Sequence, residues 1–161
     1  MAKNWKIRKD LSIEVCGHTL FRIECTQDFK EIKAGTLGGF IEKEENLDGN
    51  AWVSGNAKVY GNALVSDDAQ VYGNAQVYGD EIKSKNDICY ISNRYYNITI
   101  TPLHIKIGCH YHAHEAWWNF TDEQIEKMGG YDAINFWRIW KEPLKQICDA
   151  MKKEKGEKDV K

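Results

Sequence analysis

Between Ala51 and Asp80 the chain repeats itself every six residues, as AWVSGN, AKVYGN, ALVSDD, AQVYGN and AQVYGD. A fixed internal period constrains a fold more tightly than any local propensity. Ala51, Ala57, Ala63, Ala69 and Ala75 open the units, and Val53, Val59, Val65, Val71 and Val77 hold the third place. Ser or Tyr comes fourth, and Gly-Asn or an Asp substitute closes the unit. Side chains alternate along an extended Ala-x-Val-x stretch. The Ala and Val columns are therefore expected inside, with the second and fourth residues outside. Gly, Asn and Asp tolerate left-handed backbone and supply the turns. Short strands and turns at this period predict a parallel β-helix, its coils stacked at about 4.8 Å.

Ile41 and Leu47 fall on the register of the Val column, so the repeat is expected to begin near Ile41. Gly35, Gly38 and Gly39 are read as turns that feed the chain into it. Upstream, Leu11, Ile13 and Val15 alternate, Gly17-His18 reads as a turn, and Leu20 to Cys25 returns, which predicts a β-hairpin covering the open end of the repeat. Downstream, DEIKSKND reads as a charged linker. Ile88–Ser92, Tyr96–Thr101 and His104–Cys109 are strand-like runs of a β-meander. His114–Asn119 is a short helical segment. Thr121 with Gln124 forms a capping box for a helix that Gly129-Gly130 stops. Asp132 opens a last helix to about Lys153, whose Trp137, Trp140, Leu144, Ile147 and Met151 make an apolar stripe. Pro143 predicts a kink or a restart there.

The segment TLGGFIEKEENLDGNAWVSGNAKVYGNA and the later YNITITPLHIKIGCHYHAHEAWWNFTDEQIEKM carry a resemblance. The hexads resemble those of left-handed hexapeptide-repeat proteins, in which three units make one triangular coil. The GGFIEKEENL lead-in resembles that of a widespread uncharacterised bacteriophage and prophage group. The resemblance implies a phage-encoded, soluble, oligomeric protein and carries over no catalytic residue. It implies a mainly β fold: a short left-handed parallel β-helix of hexapeptide repeats, with an N-terminal β-hairpin cap and a C-terminal α+β module of meander plus helices. The organisation is then cap over residues 1–40, repeat over 41–80, α+β module over 81–153 and a disordered tail over 154–161. Residues three hexads apart should stack: Tyr60 with Tyr78, Lys58 with Gln76, Trp52 with Gln70, Ser54 with Tyr72 and Asn56 with Asn74.

At 161 residues and a formal net charge of -2, the chain has no bulk attraction for nucleic acid or membranes. The basic start MAKNWKIRKD lacks the apolar stretch of a signal peptide, and the five cysteines read as reduced cytoplasmic thiols. An acyltransferase on hexapeptide repeats would use a His near an extruded loop, whereas residues 41–80 contain neither His nor insertion. Cys109, His112 and His114, with His104 and His110 nearby, are weak candidates for a metal site. Strand alternation sets Cys109 opposite His110, which argues against one shared metal site; with no His or insertion in the repeat and no Gly-rich phosphate loop, the reading is no metal, no cofactor and no enzyme. Nucleophilic chemistry by Cys109 with a neighbouring His rests on adjacency alone.

Recognition is expected at Tyr60 and Tyr78 and in the aromatic C-terminal stretch: Arg94, Tyr95, Tyr96, Tyr111, Trp117, Trp118, Trp137 and Trp140. A ladder of Tyr60 and Tyr78 beside Trp52 and Leu64 is too apolar to stand in water, which points to self-association, and the resemblance to hexapeptide-repeat prisms implies a homotrimer. Clefts between subunits of such an oligomer, lined by Tyr, Trp, Arg94, Lys106 and Arg138, would suit a nucleobase and phosphate. The resulting expectation is a cytoplasmic, non-enzymatic binding protein; the resemblance to the phage and prophage group implies that it blocks a host defence or CRISPR protein or sequesters a nucleotide immune signal. A virion or assembly spacer is the second reading and a diverged acyltransferase the third.

Overall fold

The computed structural model describes residues 2–159. The hairpin is β1 (Trp5–Val15) and β2 (His18–Cys25), turning at Cys16-Gly17, where both residues take positive φ. Next come β3 (Leu37–Ile41) and the two-residue strands β4 (Trp52–Val53), β5 (Lys58–Val59), β6 (Leu64–Val65), β7 (Gln70–Val71), β8 (Gln76–Val77) and β9 (Glu81–Ile82). The rest is β10 (Cys89–Ile91), β11 (Ile98–Ile100), β12 (His104–Ile107), β13 (His110–Ala113), α1 (His114–Asn119) and α2 (Asp122–Asp159).

A regular left-handed β-helix under a separate hairpin cap is not what forms. Apart from β3, the parallel strands are only two residues long, and they are scattered over three sheets. The largest is a mixed five-stranded sheet, ordered β1-β2-β3-β5-β8, in which the hairpin pairs antiparallel with β3 and is part of the sheet. β4-β7 and β6-β9 are separate two-stranded sheets. The cause lies in the hexad: a turn every six residues leaves only x-Val extended. Leu37–Ile41, free of such turns, offers one edge to β2 and the other to β5.

Pairing still follows the three-hexad spacing, as Trp52 with Gln70 and Lys58 with Gln76. The Ala and Val columns are buried together with Ile41, Leu47, Ile82 and Ile88. The second and fourth positions do not all face water. Trp52 is packed edge-on by Phe29 at 5.8 Å, and Tyr60 is enclosed by Leu20 and Phe40 with Ile13 and Val15 against them. Trp52 and Tyr60 of the apolar strip are thus covered by the chain's own hairpin and loop, whereas Tyr78 is 38 % exposed.

DEIKSKND is not a linker. It carries β9 and a 3-10 turn, Lys85–Asp87, whose Asp87 carboxylate accepts the Lys83 and Ser84 N–H groups. The sheet after it has four strands, β10-β11-β12-β13, all antiparallel. Cys109 sits in the β12–β13 turn rather than in a strand, because Gly108 at φ 57° reverses the chain. Ile98, Ile100, Ile105 and Ile107 face α1 and α2 and form the second core with Trp117, Trp137 and Leu144. The opposite face, with Thr99, His104 and Tyr111, meets the hexads: the Gln76 N–H donates to Thr99 Oγ1, and Tyr111 lies edge-on to Tyr78 at 5.6 Å.

α2 opens on the capping box, in which Gln124 Oε1 accepts the Thr121 N–H and Thr121 Oγ1 accepts the Gln124 N–H. It breaks at Gly129-Gly130. The backbone stays helical through Pro143, with no break or restart. Pro143 and Ile139, whose carbonyl the ring deprives of a donor, both lie on the solvent side. The helix continues through residues 154–159, where Lys and Glu favour it; residues 160–161 of the expected tail lie outside the described residues. Among the described residues no helix is long and apolar enough to cross a membrane.

Candidate functional site

The expected recognition residues separate into three places. Trp117, Trp137 and Tyr96 come together around a cavity of about 100 Å³ between the end of the β12–β13 hairpin and the helices. Its walls include Ile107, Cys109, His110, Ile125, Met128 and Phe136, with no Asp, Glu, Lys or Arg among them. The sequence builds it locally. Gly108 turns the hairpin tightly, and Gly129-Gly130 bends α2 around the same corner. The His110 ring nitrogen Nε2 lies 3.2 Å from the Met128 carbonyl and ties that bend to the hairpin.

The aromatic groups brace one another. Trp117 Nε1 donates to the Ile105 carbonyl at 2.8 Å, fixing α1 on the sheet. Trp137 is met by Trp117 at 5.3 Å and stacks with Trp118 at 6.1 Å, so both adjacent tryptophans reach it. Phe136 takes Tyr96 edge-on and stacks with Trp140. Trp140 and Trp118 thus support the wall from behind. Trp137 is 4 % exposed, and its indole N–H has no hydrogen-bond acceptor. A buried donor left unpaired is costly.

Arg94 and Tyr95 lie apart, on the exposed β10–β11 loop, with the guanidinium 5.7 Å from the Tyr95 ring. Arg138 is paired with Asp122 at 2.7 Å, and Lys106 lies on the other face of the sheet, so the three cations expected to line inter-subunit clefts stand apart within one chain.

The third place is an aromatic stack along the junction of the two units. Tyr60, Tyr78, Tyr111 and His104 follow one another at ring separations of 5.0, 5.6 and 4.4 Å. A carboxylate holds the imidazole at each end. His18, against Tyr60 and Tyr78, has Nδ1 2.7 Å from Glu42, and His104 has Nδ1 2.7 Å from Asp80. Burial works against the Glu42 charge, but His18 and the Gly61 N–H outweigh it and hold the carboxyl below its ordinary range. Burial pushes the Tyr60 hydroxyl up to about 12, and burial with the nearby Asp80 raises Tyr111 as well. Both phenols are neutral at physiological pH. His18, Glu42 and Asp80 were not singled out from the sequence, since nothing in the hexad pattern brings them to the tyrosines.

The histidines of HIKIGCHYHAHEAW go to separate duties. His112 packs against Trp117 and Phe120, and burial, with His110 nearby, lowers its pKa. His114 Nε2 lies 2.9 Å from the Thr101 carbonyl and 3.2 Å from that of His104, and burial keeps the ring neutral by lowering its pKa. Cys109 is exposed on the turn. Among the described residues no three His, Cys, Asp or Glu side chains converge as a metal would need. No protein-family model matches this chain, and no curated protein matches it in sequence.

Proposed function

We propose that this is a non-enzymatic binding protein whose C-terminal unit seats one aromatic ring of a partner protein in the Trp117–Phe136–Trp137 cavity. The observation that carries the reading is the unpaired indole N–H of Trp137, a residue in the wall of a mainly apolar cavity. An apolar cavity of about 150 Å³ takes benzene, so about 100 Å³ with an open mouth suits a single ring. The unpaired donor favours a ring carrying an acceptor, as the tyrosine side chain does. The resemblance to phage and prophage proteins supplies the setting: the partner is a host factor, and its capture serves counter-defence.

The test uses p-cresol and toluene as probes, followed by the indole N–H resonance of Trp137. The expected result is that p-cresol binds more tightly than toluene and moves that resonance. Ala133 lines the cavity. Ala133→Phe should fill the space, abolish both responses and leave the melting temperature unchanged or higher. No response to either probe in the folded wild type would overturn the reading.

A further inference from the structure

A second site follows from the register of the mixed sheet and is independent of the cavity. Arg22 pairs with Phe40, Phe40 with Lys58 and Lys58 with Gln76, so these residues form one row across β2, β3, β5 and β8. The Gln76 N–H donates to Thr99 Oγ1, and Thr99 pairs with Lys106 on β12. The row therefore runs from the hairpin across the hexads and onto the meander. It brings three cationic side chains to one side of the junction.

Their side chains converge. The Arg22 guanidinium lies over the Phe40 ring at 4.4 Å and donates to the Gly38 carbonyl at 2.6 Å, the Gly55 carbonyl at 3.2 Å and Asn56 Oδ1 at 3.3 Å. Lys58 Nζ donates to the Asn56 carbonyl at 2.9 Å, so both cations meet at the same residue. Lys106 is 6 % exposed, and its ammonium makes no hydrogen bond or ion pair with any described residue. Every ion pair among the described residues lies elsewhere. Burial lowers the Lys58 pKa, and the charges of Arg22 and Lys106 lower it further, with no carboxylate acting in the opposite sense.

Like charges are thus held together without a counter-ion, two of them on partly buried stems. Such an arrangement disfavours the folded state unless an anion completes it. We propose that Arg22, Lys58 and Lys106 together form a basic groove at the junction of the hexads and the meander and bind a phosphate group there. A phosphate monoester carries roughly -1.5 to -2 charges at neutral pH and presents three acceptor oxygens. It answers three cations better than a carboxylate does, and the fork of Arg22 suits its oxygens. The Asn56 side chain, already at the guanidinium, helps hold the groove in shape.

The experiment is thermal unfolding of the whole chain in millimolar inorganic phosphate against chloride of matched ionic strength. The wild type should melt higher in phosphate. Lys58→Gln and Lys106→Met should each weaken phosphate binding by roughly tenfold or more. In chloride the same variants should melt at or above the wild type, since each removes an unneutralised charge. A purely structural role for these lysines predicts lower melting and an unchanged phosphate response. That pair of results, or equal melting of the wild type in the two salts, would overturn the site. A mononucleotide and a phosphoserine peptide titrated in parallel identify the source, because whichever ester surpasses inorganic phosphate supplies the group in the cell.

Discussion

Replacing Gly39 by Ala is expected to destabilise the protein by about 3 kcal/mol, at the upper end of what overpacking a tight interior costs. A Cβ there would stand 2.6 Å from the Ala57 carbonyl oxygen, 2.6 Å from Val53 Cγ1 and 3.3 Å from the Ser54 carbonyl oxygen. Two of the three obstacles are backbone and cannot rotate away. The Ala57 carbonyl also accepts the Phe40 N–H at 2.9 Å, a bond that closes the pairing of β3 on β5. Relief of the clash would pull β3 off the hexads, and β2 with it. Gly35→Ala is the internal control. Nothing lies within 4 Å of its Cβ position, and its φ is 86°. Only the backbone strain remains, about 1 kcal/mol. Urea unfolding of both variants separates the effects. A Gly39→Ala protein no weaker than Gly35→Ala would show that β3 and β5 are not held at this spacing.

Gly38 and Gly39 also show where the sequence stops being legible. In a one-dimensional reading, paired glycines beside a repeat look like turns. They are strand residues, and they are glycines because Val53, Ala57 and Trp52 press against them from the hexads. That pressure joins residues fourteen to eighteen apart in the chain, and no local pattern carries it. The inward Ala and Val columns were readable, because alternation and burial act residue by residue. So was the spacing of stacked partners. The overall architecture was not, since it depends on which free edge Leu37–Ile41 offers to the hairpin. The aromatic stretch was readable as a place of recognition but not as a cavity. Tyr96, Trp117 and Trp137 converge only after Gly108 and Gly129 bend two separate elements around one corner. The basic groove was the least legible part. Arg22, Lys58 and Lys106 have no common motif, and only strand pairing puts them in one row.

Asp80→Ala is the second large effect, with an expected loss of about 3–5 kcal/mol, the usual consequence of breaking a buried charged contact by deleting one side. Asp80 ends the last hexad and is 1 % exposed. Its Oδ2 accepts the Thr101 hydroxyl and the Leu103 N–H at 3.3 Å, and its Oδ1 takes His104 Nδ1 at 2.7 Å. These donors belong to the β11–β12 turn and the first residue of β12, so one carboxylate clamps the meander to the hexads. The Asp80 main-chain carbonyl meanwhile accepts the Leu64 N–H at 3.1 Å and anchors the residue in the hexad stack. Alanine would leave the donors buried and unpaired, with a void between the units. Asp80→Asn keeps the volume and one acceptor oxygen, but its amide must face a donor, so it should fall between alanine and the wild type. The loss should also be directional. The cavity faces α1 and α2, whereas the clamp lies on the opposite face of the sheet. In Asp80→Asn, hydrogen exchange should therefore accelerate at Leu103 and Gln76 before it does at Ile105 and Trp117. Because Lys106 reaches the basic groove only while that face stays docked, the phosphate response should weaken in the same variant and p-cresol binding should persist. Uniform acceleration across both faces would mean that the two units open as one and that Asp80 is not the joint between them.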